Sequence, residues 1–183
     1  METKKEIRRT LLKRRDALPE KQWANFSDAI KDKVISHPLF QESETIYCYM
    51  SYHHEVDTQK LLSYALSIGK KVAIPKVLGK EMEFYYIKSL QDVQPGSMGI
   101  LEPKGEQSQL ADEERALMLM PLVGYDEHNN RLGYGGGYYD RYLQKHPKHP
   151  TMGLAFTLQK VREIPVEETD LKPQIIITEE KGV

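Results

Sequence analysis

Apolar positions recur along the chain with two periods. Over residues 3–18 a sparse stripe of Ile7, Leu11, Leu12 and Leu18 is surrounded by Lys4, Lys5, Arg8, Arg9, Lys13, Arg14 and Arg15, which predicts a helix with a solvated basic face. Pro19-Glu20 suits the first position of a second helix, and Trp23, Phe26, Ile30 and Val34 step by three or four residues as a core-facing stripe does. His37-Pro38 predicts its end. Ile46 to Met50 is then a short unbroken apolar run, as expected of a strand covered on both faces of a parallel sheet. Asp57 reads as a helix cap, Leu61, Leu62, Ala65, Leu66 and Ile68 as a helix face, and Gly69 as its stop, leading to a strand over 71–75. This is a βαβ unit of ordinary size.

Further strands are expected over 82–88, 117–123, 152–156 and 174–178, with a helix over 137–146 ended by Pro147. Pro95-Gly96 and Gly99 punctuate a loop, and residues 104–116 read as an exposed polar connection. Strands alternating with helices give the class α/β with a mostly parallel sheet. No internal repeat or linker divides the chain, so one domain over residues 1–183 is expected.

Charge narrows the partners. Lys+Arg 26 against Asp+Glu 27 leaves a net charge of −1, so no global field draws nucleic acid or a membrane surface to the protein. No apolar run approaches a membrane span, and the charged N-terminus is unlike a signal peptide. The single cysteine, Cys48, excludes an intrachain disulfide and sits in an apolar run, which favours a buried inert thiol in a reducing cytoplasm. His53-His54 has no third ligand nearby in sequence and reads as a solvated pair. No G-x-S-x-G elbow is present.

The densest chemistry lies at Arg131-Leu132-Gly133-Tyr134-Gly135-Gly136-Gly137-Tyr138-Tyr139-Asp140-Arg141-Tyr142-Leu143, where four of the chain's 12 glycines fall within five positions. Such a cluster implies positive φ or close approach to a ligand. A glycine loop entering a helix presents free N–H groups and a positive dipole end, which suits phosphate, and a first-turn carboxylate at Asp140 suits a phosphate-bound Mg²⁺. It is neither a P-loop, which needs Gly-Lys-Ser/Thr, nor the dinucleotide fingerprint, which would need glycine at Tyr138. A plain surface turn before an amphipathic helix fits the same residues. The loop after the strand at 46–50, with Glu55, lies where open α/β sheets bind ligands, and Lys76 is a further candidate for the same cleft.

The glycine segment resembles the signature of the 5-formyltetrahydrofolate cyclo-ligases, also called methenyltetrahydrofolate synthetases. The likeness runs through Lys4-Lys5-Glu6-Ile7-Arg8, Tyr49-Met50-Ser51 with Glu55, Ile74-Pro75-Lys76, Gly99-Ile100-Leu101-Glu102-Pro103, and Asp170 ahead of Ile175-Ile176-Ile177-Thr178. The resemblance implies a Rossmann-like three-layer sandwich of the sugar-phosphate isomerase and CoA-transferase kind, and ATP- and Mg²⁺-dependent closure of 5-formyltetrahydrofolate to 5,10-methenyltetrahydrofolate. It further implies ATP contacts along Lys4, Lys5, Glu6, Ile7 and Arg8 and along Arg131, Leu132, Gly133, Tyr134, Gly135, Gly136, Gly137, Tyr138 and Tyr139. Met50, Glu55 and the loop from Gly135 to Tyr139 would form the folate site, and Asp140 and Asp170 would be Mg²⁺ ligands. Tyr138 and Tyr139 are expected beside the pterin, with core packing the competing role, better suited to Tyr138. Tyr134 and Gly136 stand where relatives carry Arg and Lys, which leaves more of the phosphate contact to backbone N–H groups. Small-molecule substrates and a monomer are expected. A non-catalytic nucleotide or phosphosugar sensor on the same fold remains a second reading at this point.

Overall fold

The structure is a computed structural model describing residues 1–104 and 109–180. Its helices are α1 (Lys4–Asp16), α2 (Glu20–Ser36), α3 (Pro38–Glu42), α4 (Gln59–Ser67) and α5 (Tyr138–Lys145). Strands β1 (Thr45–Cys48), β2 (Lys71–Leu78), β3 (Glu81–Ile87), β6 (Gln109–Leu110), β7 (Leu117–Pro121), β10 (Thr151–Leu154) and β11 (Ile175–Ile177) form one sheet in the order 11-10-7-1-2-3-6. Two small ribbons, β4 (Val93–Pro95) with β5 (Leu101–Pro103) and β8 (Gly124–Tyr125) with β9 (Arg131–Leu132), lie outside it. The five strands from β11 to β2 are parallel, and β3 and β6 are antiparallel additions at one edge.

Alternation along the central strands explains the layers. Ile46 and Cys48, Val72 and Ile74, and Leu117 and Leu119 belong to one buried cluster with Ile30, Val34, Leu61, Leu62 and Ala65 of α2 and α4. Their neighbours Tyr47, Ala73, Met118 and Met120 belong to a second cluster with Phe84, Tyr142 and Leu143, the last two from α5. Helices thus cover both faces of a parallel sheet, and the unbroken apolar runs report that double burial. The thiol of Cys48 is fully buried, and its pKa is driven up by desolvation, as the expected inert role requires.

Several local expectations are corrected. His37-Pro38 ends α2, but Pro38 also starts α3, with the His37 ring accepting the Leu39 N–H at 3.1 Å. The residue capping α4 is Thr58; Asp57 stands one place earlier and accepts from Gln59 N–H at 3.3 Å. The segment 95–103 folds back into the β4–β5 ribbon, and β6 pairs with β3 inside the stretch read as an exposed connection, of which residues 105–108 lie outside the described residues. Strand β2 runs past Pro75 because β3 alone pairs with it there: β1 pairs with β2 only as far as Ala73. Pro75, which has no N–H to give, therefore stands where the sheet has parted on the β1 side.

Arg15 is the largest departure. It was expected on the solvated face of α1, yet it is 3% exposed. Ile7, Leu11 and Arg15 are spaced four apart, so Arg15 continues the buried stripe by one turn. Among the described residues, no helix is long and apolar enough to cross a membrane.

Candidate functional site

The chain passes from β1 to β2 on one side and later returns to β7 on the other, so the strand order reverses beside β1. A crevice beyond the carboxyl ends of these strands is where open α/β sheets bind ligands. A cleft of about 970 Å³ opens there. Tyr49 and Met50 line it from the end of β1, Pro75 and Val77 from β2, and Pro121 from β7. Lys76 is not among the lining residues, since successive side chains of a strand point to opposite faces.

The glycine loop forms one wall. Gly135 (φ +104°) and Gly137 (φ +70°) adopt backbone that residues with a Cβ avoid. The carbonyl of Gly133 accepts from Arg8 Nε at 2.6 Å, and that of Gly136 accepts from Arg141 at 2.7 Å. Gly137 caps α5 without any side-chain cap, and the first bond of the helix ladder there runs from Arg141 N–H to Gly137 O at 3.0 Å. The N–H groups of Tyr138, Tyr139 and Asp140 precede that ladder, so the positive end of α5 opens on the cleft. Tyr138 reaches out to the carbonyl of Gly79 in the β2–β3 turn at 3.2 Å, while Tyr139 packs edge-on against Phe84, its centroid 5.3 Å from the Arg131 guanidinium. Both rings are half-buried against the second core cluster, so packing is shared between them rather than confined to Tyr138.

Helix α1 lines the cleft beside the glycine loop. It starts with a capping box between Thr3 and Glu6 and rests on Val123, Leu132 and Ile164 through Ile7 and Leu11. Lys4 and Arg8 line the cleft one helical turn apart. Lys5, Glu6 and Ile7 do not: Lys5 is exposed, Glu6 completes the cap, and Ile7 is buried in packing. Lys4 Nζ donates to Asp170 Oδ2 at 2.6 Å. The guanidinium of Arg8 lies over Gly135, 3.5 Å from where a Cβ would stand. Arg131 is anchored by its Nε to the Pro121 carbonyl at 2.9 Å; burial lowers its pKa, and Asp140 and Asp170 act in the opposite direction.

Glu55 also lines the cleft and is 7% exposed. Its loop is stapled by Trp23 Nε1–H donating to the Glu55 carbonyl at 2.8 Å, by the Tyr49 hydroxyl on the Val56 carbonyl at 3.0 Å, and by the Thr58 hydroxyl on the Tyr49 carbonyl at 2.8 Å. Oε1 accepts from Tyr52 N–H at 2.6 Å, and Oε2 accepts from the Tyr134 hydroxyl at 2.8 Å. Desolvation raises the Glu55 carboxyl pKa, with Tyr134, Tyr52 N–H, Arg15 and His53 pulling it back. His53 and His54 go separate ways, His53 against the Tyr52 ring and His54 edge-on to Trp23, so they form no metal pair.

Asp140 and Asp170 come together with the segment 167–171: Asp140 Oδ1 accepts from Leu171 N–H at 3.1 Å, and Asp170 Oδ2 from Glu167 N–H at 3.0 Å. Among the described residues, no three His, Cys, Asp or Glu side chains are grouped to hold a metal. Two carboxylates beside an open helix N-terminus still fit Mg²⁺, which commonly takes one or two carboxylates and completes its shell with phosphate oxygens and water.

The sequence profile of the 5-formyltetrahydrofolate cyclo-ligase family matches residues 1–179. The chain belongs to that family. It is 30% identical to the 5-formyltetrahydrofolate cyclo-ligase of Escherichia coli K12, covering 92% of this chain and 96% of that one. It is 30% identical to the enzyme of that name from Mus musculus, covering 97% and 94%. In fold it is similar to the 5,10-methenyltetrahydrofolate synthetase of Aquifex aeolicus, with a TM-score of 0.84 at 31% identity over 97% of this chain and 90% of that one. The synthetase of Mycoplasma pneumoniae gives 0.78 at 25% identity over 97% and 99%. The three-layer α/β sandwich is therefore the family's fold. Within this family member, sequence reasoning missed Arg15 as a part of the site and Trp23 as a support of the Glu55 loop. A tryptophan at a helical core spacing carries no sign that its indole N–H serves a loop carbonyl; Arg15 was legible only as the next position on the Ile7–Leu11 stripe.

Proposed function

We propose that the protein converts 5-formyltetrahydrofolate to 5,10-methenyltetrahydrofolate, turning ATP into ADP and phosphate. Family membership supports this reading, and the observation that carries it is the meeting in one cleft of an uncapped helix start behind a glycine loop, two basic residues of α1, and a buried carboxylate. Lys4, Arg8 and the loop from Arg131 to Tyr139 hold the ATP phosphates. Met50 and Glu55 belong to the folate side, with Gly135 to Tyr139 between the two substrates. Asp140 and Asp170 would hold Mg²⁺, which, when bound, neutralises charge on phosphate oxygens.

A formamide oxygen is a poor leaving group. Its attack on the γ-phosphorus, with ADP departing, makes it a good one; N10 then adds to the activated carbon, and ring closure releases phosphate and the N10 proton. The side chains contribute alignment and charge neutralisation, which dominate phosphoryl transfer. In the present arrangement Lys4 gives one of its three N–H donors to Asp170, which leaves the others for a phosphate oxygen. A buried thiol and small-molecule substrates fit a cytoplasmic enzyme.

The test is turnover by the purified protein with 5-formyltetrahydrofolate, ATP and Mg²⁺. The expected result is appearance of the methenyl product with one ADP per turnover. ATP binding without any folate-dependent ADP would instead favour a nucleotide sensor and overturn the enzymatic reading.

A further inference from the structure

Arg15 and Glu55 are buried, opposite in charge and close, yet they do not pair directly. The one side-chain hydrogen bond Arg15 makes among the described residues is to the Tyr134 hydroxyl, at 2.8 Å; its buried Nε has no hydrogen-bond partner and lies 3.7 Å from Asp16 Oδ1. That hydroxyl in turn donates to Glu55 Oε2 at 2.8 Å. The tyrosine ring is half exposed in the glycine loop, so only its polar end is held inside. A direct arginine–carboxylate fork would place a donor on each carboxylate oxygen and, with the Tyr52 N–H, fill both directions of Oε1. With a hydroxyl interposed, Oε2 carries one donor and Oε1 carries one, the Tyr52 N–H, and each oxygen keeps a second acceptor direction.

We propose that Arg15 and Tyr134 are positioning residues for Glu55: the Tyr134 hydroxyl, held by the Arg15 guanidinium, fixes the carboxylate so that its remaining lone pairs receive N–H donors of the folate substrate. This rests on the cyclo-ligase reading only for the identity of that substrate. It places the side chain of Tyr134 on the folate side of the cleft, although its backbone belongs to the phosphate loop. The direction of the bonds is consistent. Burial and the Glu55 charge both raise the tyrosine pKa, so the hydroxyl stays protonated and donates to the carboxylate while accepting from arginine. The other groups acting on Glu55 or on its partners are Asp16 of α1, Cys48 and Tyr49 at the end of β1, His53 of its own loop, and Tyr139 of α5. Arg15, Tyr134 and His53 lower the Glu55 pKa against burial, so removing the first two raises it.

The experiment compares wild type, Tyr134→Phe, Arg15→Lys and Arg15→Met. Carbon-13 NMR of glutamate-labelled protein reads the Glu55 titration without substrate, and steady-state kinetics read both KM values and the acid limb of kcat/KM. In Tyr134→Phe the Glu55 titration and the acid limb both move to higher pH, and the folate KM rises about tenfold, the scale of one lost bond to a charged group, while the ATP KM stays within about twofold. Arg15→Met moves the titration the same way, and Arg15→Lys, which keeps the charge, moves it less. An unchanged Glu55 titration in folded Tyr134→Phe overturns the proposal, as does a loss confined to ATP affinity. If Arg15→Met does not fold, Tyr134→Phe decides alone. A wild type without turnover defeats the cyclo-ligase reading separately, and the NMR titration still judges the positioning.

Discussion

At the scale of single residues, the buried carboxyl of Glu55 works against stability. Its carboxyl pKa in the folded protein lies above the ordinary carboxylate value because burial outweighs its hydrogen bonds. Between the unfolded and folded values the folded state binds more protons, so stability falls as pH rises through that window and then levels. Glu55→Gln keeps the volume and removes the charge. Its thermal midpoint is expected to gain on wild type as pH increases from about 4.5 towards neutrality, the start of the window being the ordinary carboxylate pKa, while folate affinity falls and ATP affinity holds. Calorimetric scans across that range check this; a constant difference between the two proteins would show that Glu55 is not shifted.

Gly135 is the second residue-scale case. Its φ of +104° strains any side chain, and a Cβ there would face the Arg8 guanidinium. Gly69, at φ +85° after α4, carries comparable strain with nothing within 4 Å. Alanine at either site is expected to cost roughly 1–3 kcal/mol of stability. Only Gly135→Ala should also weaken ATP binding, measured by titration calorimetry at a temperature where both variants are folded. Equal ATP affinity in the two would make the loop a turn and nothing more.

At the scale of elements, α1 separates a surface role from a binding role. Lys4 and Arg8 point into the cleft, bonded to Asp170 and Gly133, whereas Lys13 and Arg14 are exposed further along. Each bond from a charged group to phosphate contributes about 1.5–3 kcal/mol. Lys4→Ala with Arg8→Ala should therefore lose at least tenfold in ATP affinity, since a factor of ten is about 1.4 kcal/mol. Lys13→Ala with Arg14→Ala removes the same charge and should leave that affinity within about twofold, as ordinary surface changes do. Equal losses in the two double variants would reduce the effect to a diffuse field.

For the whole molecule, the cleft joins stretches distant in sequence, among them α1, the loop after β1, the β2–β3 hairpin, the β4–β5 ribbon, the glycine loop with α5, and the segment around Asp170. A ligand bridging them stabilises the entire fold. At about a hundred times its Kd it adds roughly 2.7 kcal/mol, which in a chain of this size raises Tm by about 5–10 °C. Mg²⁺ should enlarge the shift given by ATP in wild type, and Asp140→Asn with Asp170→Asn should abolish that enlargement while keeping the metal-free shift. Thermal scans with ATP at increasing Mg²⁺ test this, and an undiminished Mg²⁺ effect in the double variant would place the ion elsewhere.

Wherever burial follows a local period, the sequence by itself determined the outcome. The alternation of Tyr47 with Ile46 and Cys48, the stripe of Ile30 and Val34, and the glycines at 135 and 137 each state their environment through spacing or through φ. Helix and strand existence, the parallel sheet and the glycine loop entering α5 follow from such short-range physics. Partners distant in the chain were decided only by the tertiary structure. Nothing near Arg15 in sequence announces that it reaches a hydroxyl 119 residues away, nor that the same hydroxyl meets a carboxylate 79 residues before it. The β4–β5 ribbon and the passage of β2 beyond Pro75 likewise depend on which strands happen to lie alongside. Lys4 and Asp170, read separately as phosphate and metal ligands, face each other because α1 and the segment before β11 converge on one end of the sheet. Local periodicity fixes which face of an element is buried; the pairing of buried charges is set by how the elements are assembled, and that assembly gives the cleft its chemistry.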